Sequence, residues 1–287
     1  KQFLEPQKKK ACSFERIYFS RGTDPDIYRE RKELGRLMVP QVLKSINFDL
    51  KNTVFSYIPN TAEISFLGMM SGVEDYLISK RKEIIIDHKP SADSLEDLLT
   101  FKPRIEKLVL KDAKLRTFIA DASHRDELVA HVYDTTFEVI QKDRDSLVII
   151  DDSIVRGTTL EKSILTLLDN LNPKKIVIIS SAPQIRFPDC YGIDMSKMND
   201  FVAFRAVLAL LIDEGKEYLL EDVLEKCLAD QNKVNEVNYV KELYAPFSYD
   251  QVSQKIGEIV KPKKMKAVLE VVFQTVEGLH KACPDHL

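Results

Sequence analysis

The chain has 287 residues, 44% hydrophobic and 30% charged, with 42 Lys and Arg against 45 Asp and Glu and a net charge of −3. That is the make-up of a soluble globular protein with room for one large or two small domains, and it provides no overall basic field for nucleic acid. No apolar run approaches the ~20 residues of a bilayer span, no secretory leader is visible, and Cys12, Cys190, Cys227 and Cys283 lack paired spacing, which predicts a reducing, cytoplasmic setting.

Residues 1–11 are polar and read as a linker. Residues 12–20 alternate as a strand does, and Thr23-Asp24-Pro25 starts a charged helix predicted over 26–38, with Leu34 and Leu37 inward. Residues 53–58 read as a strand, broken by Pro59-Asn60-Thr61-Ala62 before a helix from about 63 to 81. A short strand is predicted at 83–86 and a helical insertion at 91–107. Beyond residue 199 helical spacing is read at 201–212, 218–228, 234–244, 249–260 and 265–280. The division this suggests is a domain over 12–200 with a helical extension over 201–287.

The most informative stretch is Leu147-Val-Ile-Ile-Asp-Asp-Ser-Ile-Val-Arg-Gly-Thr-Thr159. Four consecutive aliphatics predict a strand buried on both faces. A loop around Gly157 follows, then aliphatics at helical spacing from Leu160 to Leu168 and a second aliphatic run at 176–179, which together read as a βαβ crossover. A helix N-terminus presents unpaired N–H groups and a positive dipole end. Gly157 lets the backbone approach an anion, and Ser153, Thr158 and Thr159 add hydroxyl donors. Asp151 and Asp152 would oppose a plain anion, but they suit a ligand that also carries a sugar diol or a divalent cation. A helix-capping turn is the competing reading of the pair, and the strand–loop–helix context argues against it.

In this spelling the run resembles the phosphoribosylpyrophosphate (PRPP) motif of type I phosphoribosyltransferases, within them that of the glutamine PRPP amidotransferases. The segments Ser181-Ala-Pro-Gln-Ile-Arg-Phe-Pro-Asp-Cys-Tyr-Gly-Ile-Asp-Met195 and Cys12-Ser-Phe-Glu-Arg-Ile-Tyr-Phe-Ser-Arg21 are similar to two further blocks of that family, in the right order. The resemblance covers residues 10–200 well and 205–262 poorly. It implies an α/β type I phosphoribosyltransferase fold, a parallel sheet flanked by helices with a C-terminal helical extension. It also implies transfer of the phosphoribosyl group to glutamine-derived ammonia, giving 5-phosphoribosylamine and pyrophosphate at the start of purine synthesis.

By the same resemblance, Ser153, Ile154, Val155, Arg156, Gly157, Thr158 and Thr159 hold the 5-phosphate. Asp151 and Asp152 serve the ribose diol and one Mg²⁺, while Pro59, Asn60, Thr61 and Ala62 wrap the pyrophosphate and its metal, Thr61 through its hydroxyl. Asn60 departs from the family's carboxylate, and a plain strand-to-helix turn is the alternative for that loop. Arg116-Thr-Phe-Ile119 matches the end of the family's flexible catalytic loop, with Arg116 and Lys114 expected to cover the site. No iron–sulfur cluster is expected, because Asp189 stands where cluster-bearing members place a cysteine and no Cys-x-x-Cys occurs.

The expected partners are PRPP, ammonia, purine nucleotides as inhibitors, further copies in a homo-oligomer, and an N-terminal glutaminase domain carried elsewhere in a longer protein. Nucleic acid and membrane are not expected. A nucleobase-using transferase and a non-catalytic nucleotide sensor are the alternatives.

Overall fold

The computed structural model describes residues 12–111, 133–136, 139–188, 197–230 and 237–286. Its centre is a parallel five-stranded sheet in the order β2-β1-β5-β6-β7. The strands are β1 (Thr53–Tyr57), β2 (Arg104–Ile105), β5 (Ser146–Asp151), β6 (Lys175–Ser180) and β7 (Val268–Phe273), while β3 (Val109–Lys111) and β4 (Tyr133–Thr135) form a separate antiparallel pair. The helices are α1 (Pro25–Leu37), α2 (Val39–Ser45), α3 (Glu63–His88), α4 (Ala92–Thr100), α5 (a π-helical turn Leu160–Ile164 continued by Leu165–Asp169), α6 (Val202–Asp213), α7 (Tyr218–Ala229), α8 (Lys241–Tyr244), α9 (Tyr249–Val260) and α10 (Val276–Ala282).

The aliphatic runs of β5 and β6 are fully buried because each face of the sheet has its own helical layer. Leu147, Ile149, Ile176 and Ile178 pack with Leu160 and Ile164 of α5, Val207 of α6 and Ile256 of α9. Val148, Ile150, Val177 and Ile179 pack instead with Val42 of α2 and with Phe66, Met69 and Val73 of α3. The period-two alternation of a strand thus serves two cores at once, which is why no polar residue interrupts it.

Several local expectations are corrected. Residues 12–20 are not a strand: Glu15–Phe19 is a π-helical turn that buries Ile17 and clusters the rings of Phe14, Tyr18 and Phe19. Residues 83–86 are likewise no strand, because α3 runs on to His88 and ends at Lys89, whose φ is +43°, just before Pro90. Ile86 is 72% exposed there, with no sheet beside it to favour an extended form. The insertion at 91–107 is helical only through α4, and Arg104–Ile105 joins the sheet edge beside β1. Within 234–244, helix is found only at Lys241–Tyr244 among the described residues.

The largest correction falls at 265–280. There Val268–Phe273 is β7, in register with all of β6, and α10 follows with Thr275 as its N-cap. The region beyond residue 200 therefore contributes a strand to the central sheet as well as helices.

One feature of this topology positions the site. After β1 the chain turns into α3 on one face; after the neighbouring β5 it turns into α5 on the other. The two loops diverge at the carboxyl ends of adjacent parallel strands and open a crevice between them, the place where open α/β sheets bind ligands.

Candidate active site

Both sequence-predicted loops lie at this crevice. Asp151 ends β5, aligned with Ser180 of β6, and its carbonyl accepts the Ser181 N–H at 3.0 Å. Asp152 follows outside the sheet: its N–H donates to Asp151 Oδ1 at 2.8 Å, its Oδ1 accepts from Ser153 Oγ at 2.8 Å, and its carbonyl accepts from Ser181 Oγ at 3.1 Å. From the other loop, Thr61 comes near enough to the Asp152 carboxylate for its hydroxyl to favour the ionised form. Pro59 and Thr61 are half-buried, Ala62 is buried at the start of α3, and Asn60 is exposed, its carbonyl accepting the Glu63 N–H at 3.3 Å. The Pro59–Asn60 peptide bond is cis.

Electrostatically the pair is under tension. Burial, and then the charge of Asp152, push the Asp151 carboxyl well above the ordinary carboxylate range. Burial also raises Asp152, less so because Ser153, Thr61 and the charge of Arg31 favour its ionised form. Two neighbouring carboxylates that resist ionising together form a hard-oxygen donor set that a divalent cation would relieve, so the residues fit a magnesium ion. Among the described residues no three His, Cys, Asp or Glu side chains converge on a point. A cation here would therefore need further oxygens from its substrate.

The loop after Asp152 is anchored from outside and open within. Val155 O accepts the Val202 N–H at 2.9 Å, Arg156 O accepts Arg205 Nη2 at 2.6 Å, and Gly157 O accepts the Glu161 N–H at 3.0 Å. The Arg156 side chain itself is exposed and reaches Asp200 at 3.4 Å. Ile154 is buried in the core and Val155 packs beside Phe14 and Phe201. The N–H groups of Gly157, Thr158 and Thr159 have no acceptor among the described residues, as expected of a helix's first turn. Gly157 has φ +73°, and a Cβ there would stand 2.7 Å from Val260 Cγ1. Only glycine combines that turn with that packing. A loop with bonded carbonyls and unbonded N–H groups at a helix start is an anion cradle.

Arg31 is the site residue that sequence reasoning missed. It is 5% exposed on α1, donates from Nε to Arg16 O at 3.0 Å and from Nη2 to Ser20 O at 2.8 Å, and its charge acts on Asp152. It ties the 12–21 block to the carboxylate pair. Its signal was present: Ile27, Arg31 and Leu34 share one helical stripe, and an arginine within an apolar stripe needs a partner inside the fold. Lys114 and Arg116 lie outside the described residues, as do residues 189–195 of the second block.

No family model matches the chain. The amidophosphoribosyltransferase of Lachancea kluyveri is 28% identical over 276 residues, which are 90% of this chain and 47% of that protein. The amidophosphoribosyltransferase of Pasteurella multocida is 34% identical over 137 residues, 44% of this chain and 27% of the relative. Among solved structures, the glutamine PRPP amidotransferase of B. subtilis, complexed with ADP and GMP, superposes with a TM-score of 0.53 at 20% identity, covering 99% of this chain and 44% of the other. The resemblance read from the motifs thus extends along almost the whole chain, and the parallel sheet with its flanking helices is the fold of that structure. The chain spans less than half the length of these relatives.

Proposed function

We propose that this chain is the phosphoribosyl-transferring part of an amidophosphoribosyltransferase, which moves the phosphoribosyl group of PRPP onto ammonia. The observation that carries the reading is the meeting of Thr61 with the Asp152 carboxylate, each beyond the end of its own strand. It joins a loop suited to pyrophosphate to one suited to a ribose 5-phosphate, across the crevice between β1 and β5.

Each group then has a physical task. The N–H groups and hydroxyls from Ser153 to Thr159 bind the 5-phosphate, and Asp151 and Asp152 accept hydrogen bonds from the ribose diol. The loop at Pro59–Ala62 receives the pyrophosphate. Asp151, Asp152 and the Thr61 hydroxyl would hold Mg²⁺, which when bound supplies Lewis-acid neutralisation of leaving-group charge. The C1–O bond to pyrophosphate breaks with its electron pair leaving on oxygen, a C1–N bond forms from the ammonia lone pair, and the surplus proton passes to solvent. Because ammonia is already a competent nucleophile, the protein's share is positioning and electrostatic stabilisation of the cationic ribosyl centre, not general-base catalysis. In the longer relatives' manner, ammonia would come from glutamine, and the product would open purine synthesis.

The deciding measurement is Mg²⁺-dependent pyrophosphate release from PRPP with ammonium at alkaline pH, beside an Asp151→Asn variant. Release that depends on ammonium and is lost in the variant is the expected result. The exposed Asn60, which puts no carboxylate in the pyrophosphate loop, favours one second reading, a nucleotide sensor. PRPP binding without release would select that reading, and absence of PRPP binding would overturn both.

A further inference from the structure

Two carbonyls of the loop after β5 are pinned by α6, and neither pin belongs to the motif itself. Val155 O accepts the N–H of Val202, the first residue of α6, at 2.9 Å. Arg156 O accepts Arg205 Nη2, from later on the same helix, at 2.6 Å. In a planar trans peptide the C=O and the N–H that follows it point in opposite directions. The only cis bond among the described residues is Pro59–Asn60, so the unit joining Arg156 to Gly157 is trans. Holding Arg156 O against α6 therefore turns the Gly157 N–H away from α6 and into the cradle, where it has no acceptor among the described residues.

The way Arg205 is held sets it apart from an ordinary surface arginine. Its Nε is buried without a hydrogen-bond partner, a state that a side chain free to swing into water avoids. Among the described residues it forms no ion pair, so its charge is spent on the Arg156 carbonyl. The motif's own arginine is no substitute, because the Arg156 side chain reaches outward to Asp200 at 3.4 Å. A cation on a carbonyl polarises the whole peptide and makes its N–H a stronger donor to an anion on the far side. Gly157, at φ +73° and boxed in by Val202 and Val260, has no room to turn that peptide back.

We propose that Arg205 is a positioning residue for the 5-phosphate: acting through the Arg156 carbonyl, it aims and strengthens the Gly157 N–H without touching the ligand. This rests on the reading that the loop from Ser153 to Thr159 receives a ribose 5-phosphate. Arg205 stands at the start of the stretch where the family resemblance is poor, so no motif points to it. The helical region beyond the motif thereby gains a task in the site, since α6 sets the direction of a peptide that α6 itself does not contain. Loss of Arg205 acts at the 5-phosphate end alone. The pyrophosphate loop at Pro59–Ala62, carried by β1 and α3 across the crevice, is indifferent to it.

Titration calorimetry on the full chain with ribose 5-phosphate and, separately, with Mg²⁺ pyrophosphate tests this in Arg205→Met and Arg205→Lys. The methionine variant is expected to bind ribose 5-phosphate about tenfold more weakly, the size of one charge-assisted hydrogen bond, and pyrophosphate within about twofold of the parent. Arg205→Lys keeps the charge and a donor without the planar fork; it should recover part of the loss, and it guards against a folding defect in the methionine variant. With PRPP and ammonium, Arg205→Met should raise KM for PRPP by the same factor and leave kcat little changed, because the phosphate is held alike before and in the transition state. A methionine variant that binds ribose 5-phosphate as the parent does, or that loses both ligands in equal measure, would overturn the role of Arg205 and leave the phosphoribosyl reading intact. A parent that binds neither ligand would overturn that reading and this proposal with it.

Discussion

Gly35 of α1 and Gly68 of α3 are reciprocal contacts: a Cβ on Gly35 would lie 1.7 Å from Ser65 O, and a Cβ on Gly68 would lie 1.7 Å from Lys32 O. The two helices cross backbone against backbone, and Ser65 Oγ donates to Arg31 O at 3.0 Å beside the crossing. This places the helix that follows the Pro59–Ala62 loop against the helix that carries Arg31.

Gly35→Ala and Gly68→Ala are each expected to destabilise the fold by roughly 3 kcal/mol or more, the upper range for overpacking, because the obstructing atoms are backbone and cannot rotate aside. Urea denaturation of both variants checks this. A loss under about 1 kcal/mol, typical of an ordinary surface glycine, would mean that the helices are farther apart than described.

Arg31→Met should weaken PRPP binding in the presence of Mg²⁺ by about tenfold or more, and it should cost about 2–4 kcal/mol of stability, as removing one member of a buried charged network does. Arg31→Lys keeps the charge but not the fork that spans Arg16 O and Ser20 O, and an intermediate loss is expected. Titration calorimetry and thermal melts separate the two effects. Unchanged affinity in both variants would reduce Arg31 to a packing residue.

Asp151→Asn should abolish PRPP binding yet raise the melting temperature of the ligand-free protein. The carboxyl of Asp151 titrates above its unfolded value. Its contribution to stability is therefore full below the unfolded pKa, near 4, and is lost as pH rises through the folded one. Above the unfolded pKa the buried pair is a liability that the asparagine removes. The difference in melting temperature between variant and parent should widen as pH rises above the unfolded value. A variant less stable than the parent at pH 7.5 would contradict the repulsion.

Tyr249, the first residue of α9, reaches the strand ends: its hydroxyl accepts the Gln184 N–H at 2.8 Å and donates to Gln274 O at 2.7 Å, and burial pushes its pKa up to about 12. The unfolded phenol ionises near 10, so stability should fall as pH rises from about 10 towards 12, where only the unfolded state releases the proton. Tyr249→Phe should cost about 1–2 kcal/mol at pH 7 by leaving the Gln184 N–H unsatisfied, and it should flatten that alkaline decline. Melts from pH 8 to 11 decide the point; identical slopes would assign the decline to other groups.

The β5–loop–α5–β6 unit, with Asp151, Asp152 and Gly157, was legible because every signal for it is local. A strand buried on both faces is an unbroken aliphatic run, and the loop's chemistry is spelled in consecutive residues. The same local reasoning failed for Val268–Phe273 and for the isoleucines at 84–86, in opposite directions. The first are extended because β6 lies beside them; the second are helical because no strand does. Such runs have no preference strong enough to overrule their neighbours.

Arg31 and the meeting of Thr61 with Asp152 lie further still from sequence reading. They exist because α3 and α5 leave adjacent strands on opposite faces and because two glycines let α1 approach α3. What this sequence determined by itself is the chemistry of each loop, since that resides in neighbouring side chains and backbone torsions. Only the tertiary structure decided which loops meet, because that depends on pairing and packing between segments far apart in the chain, whose free energy no single segment contains.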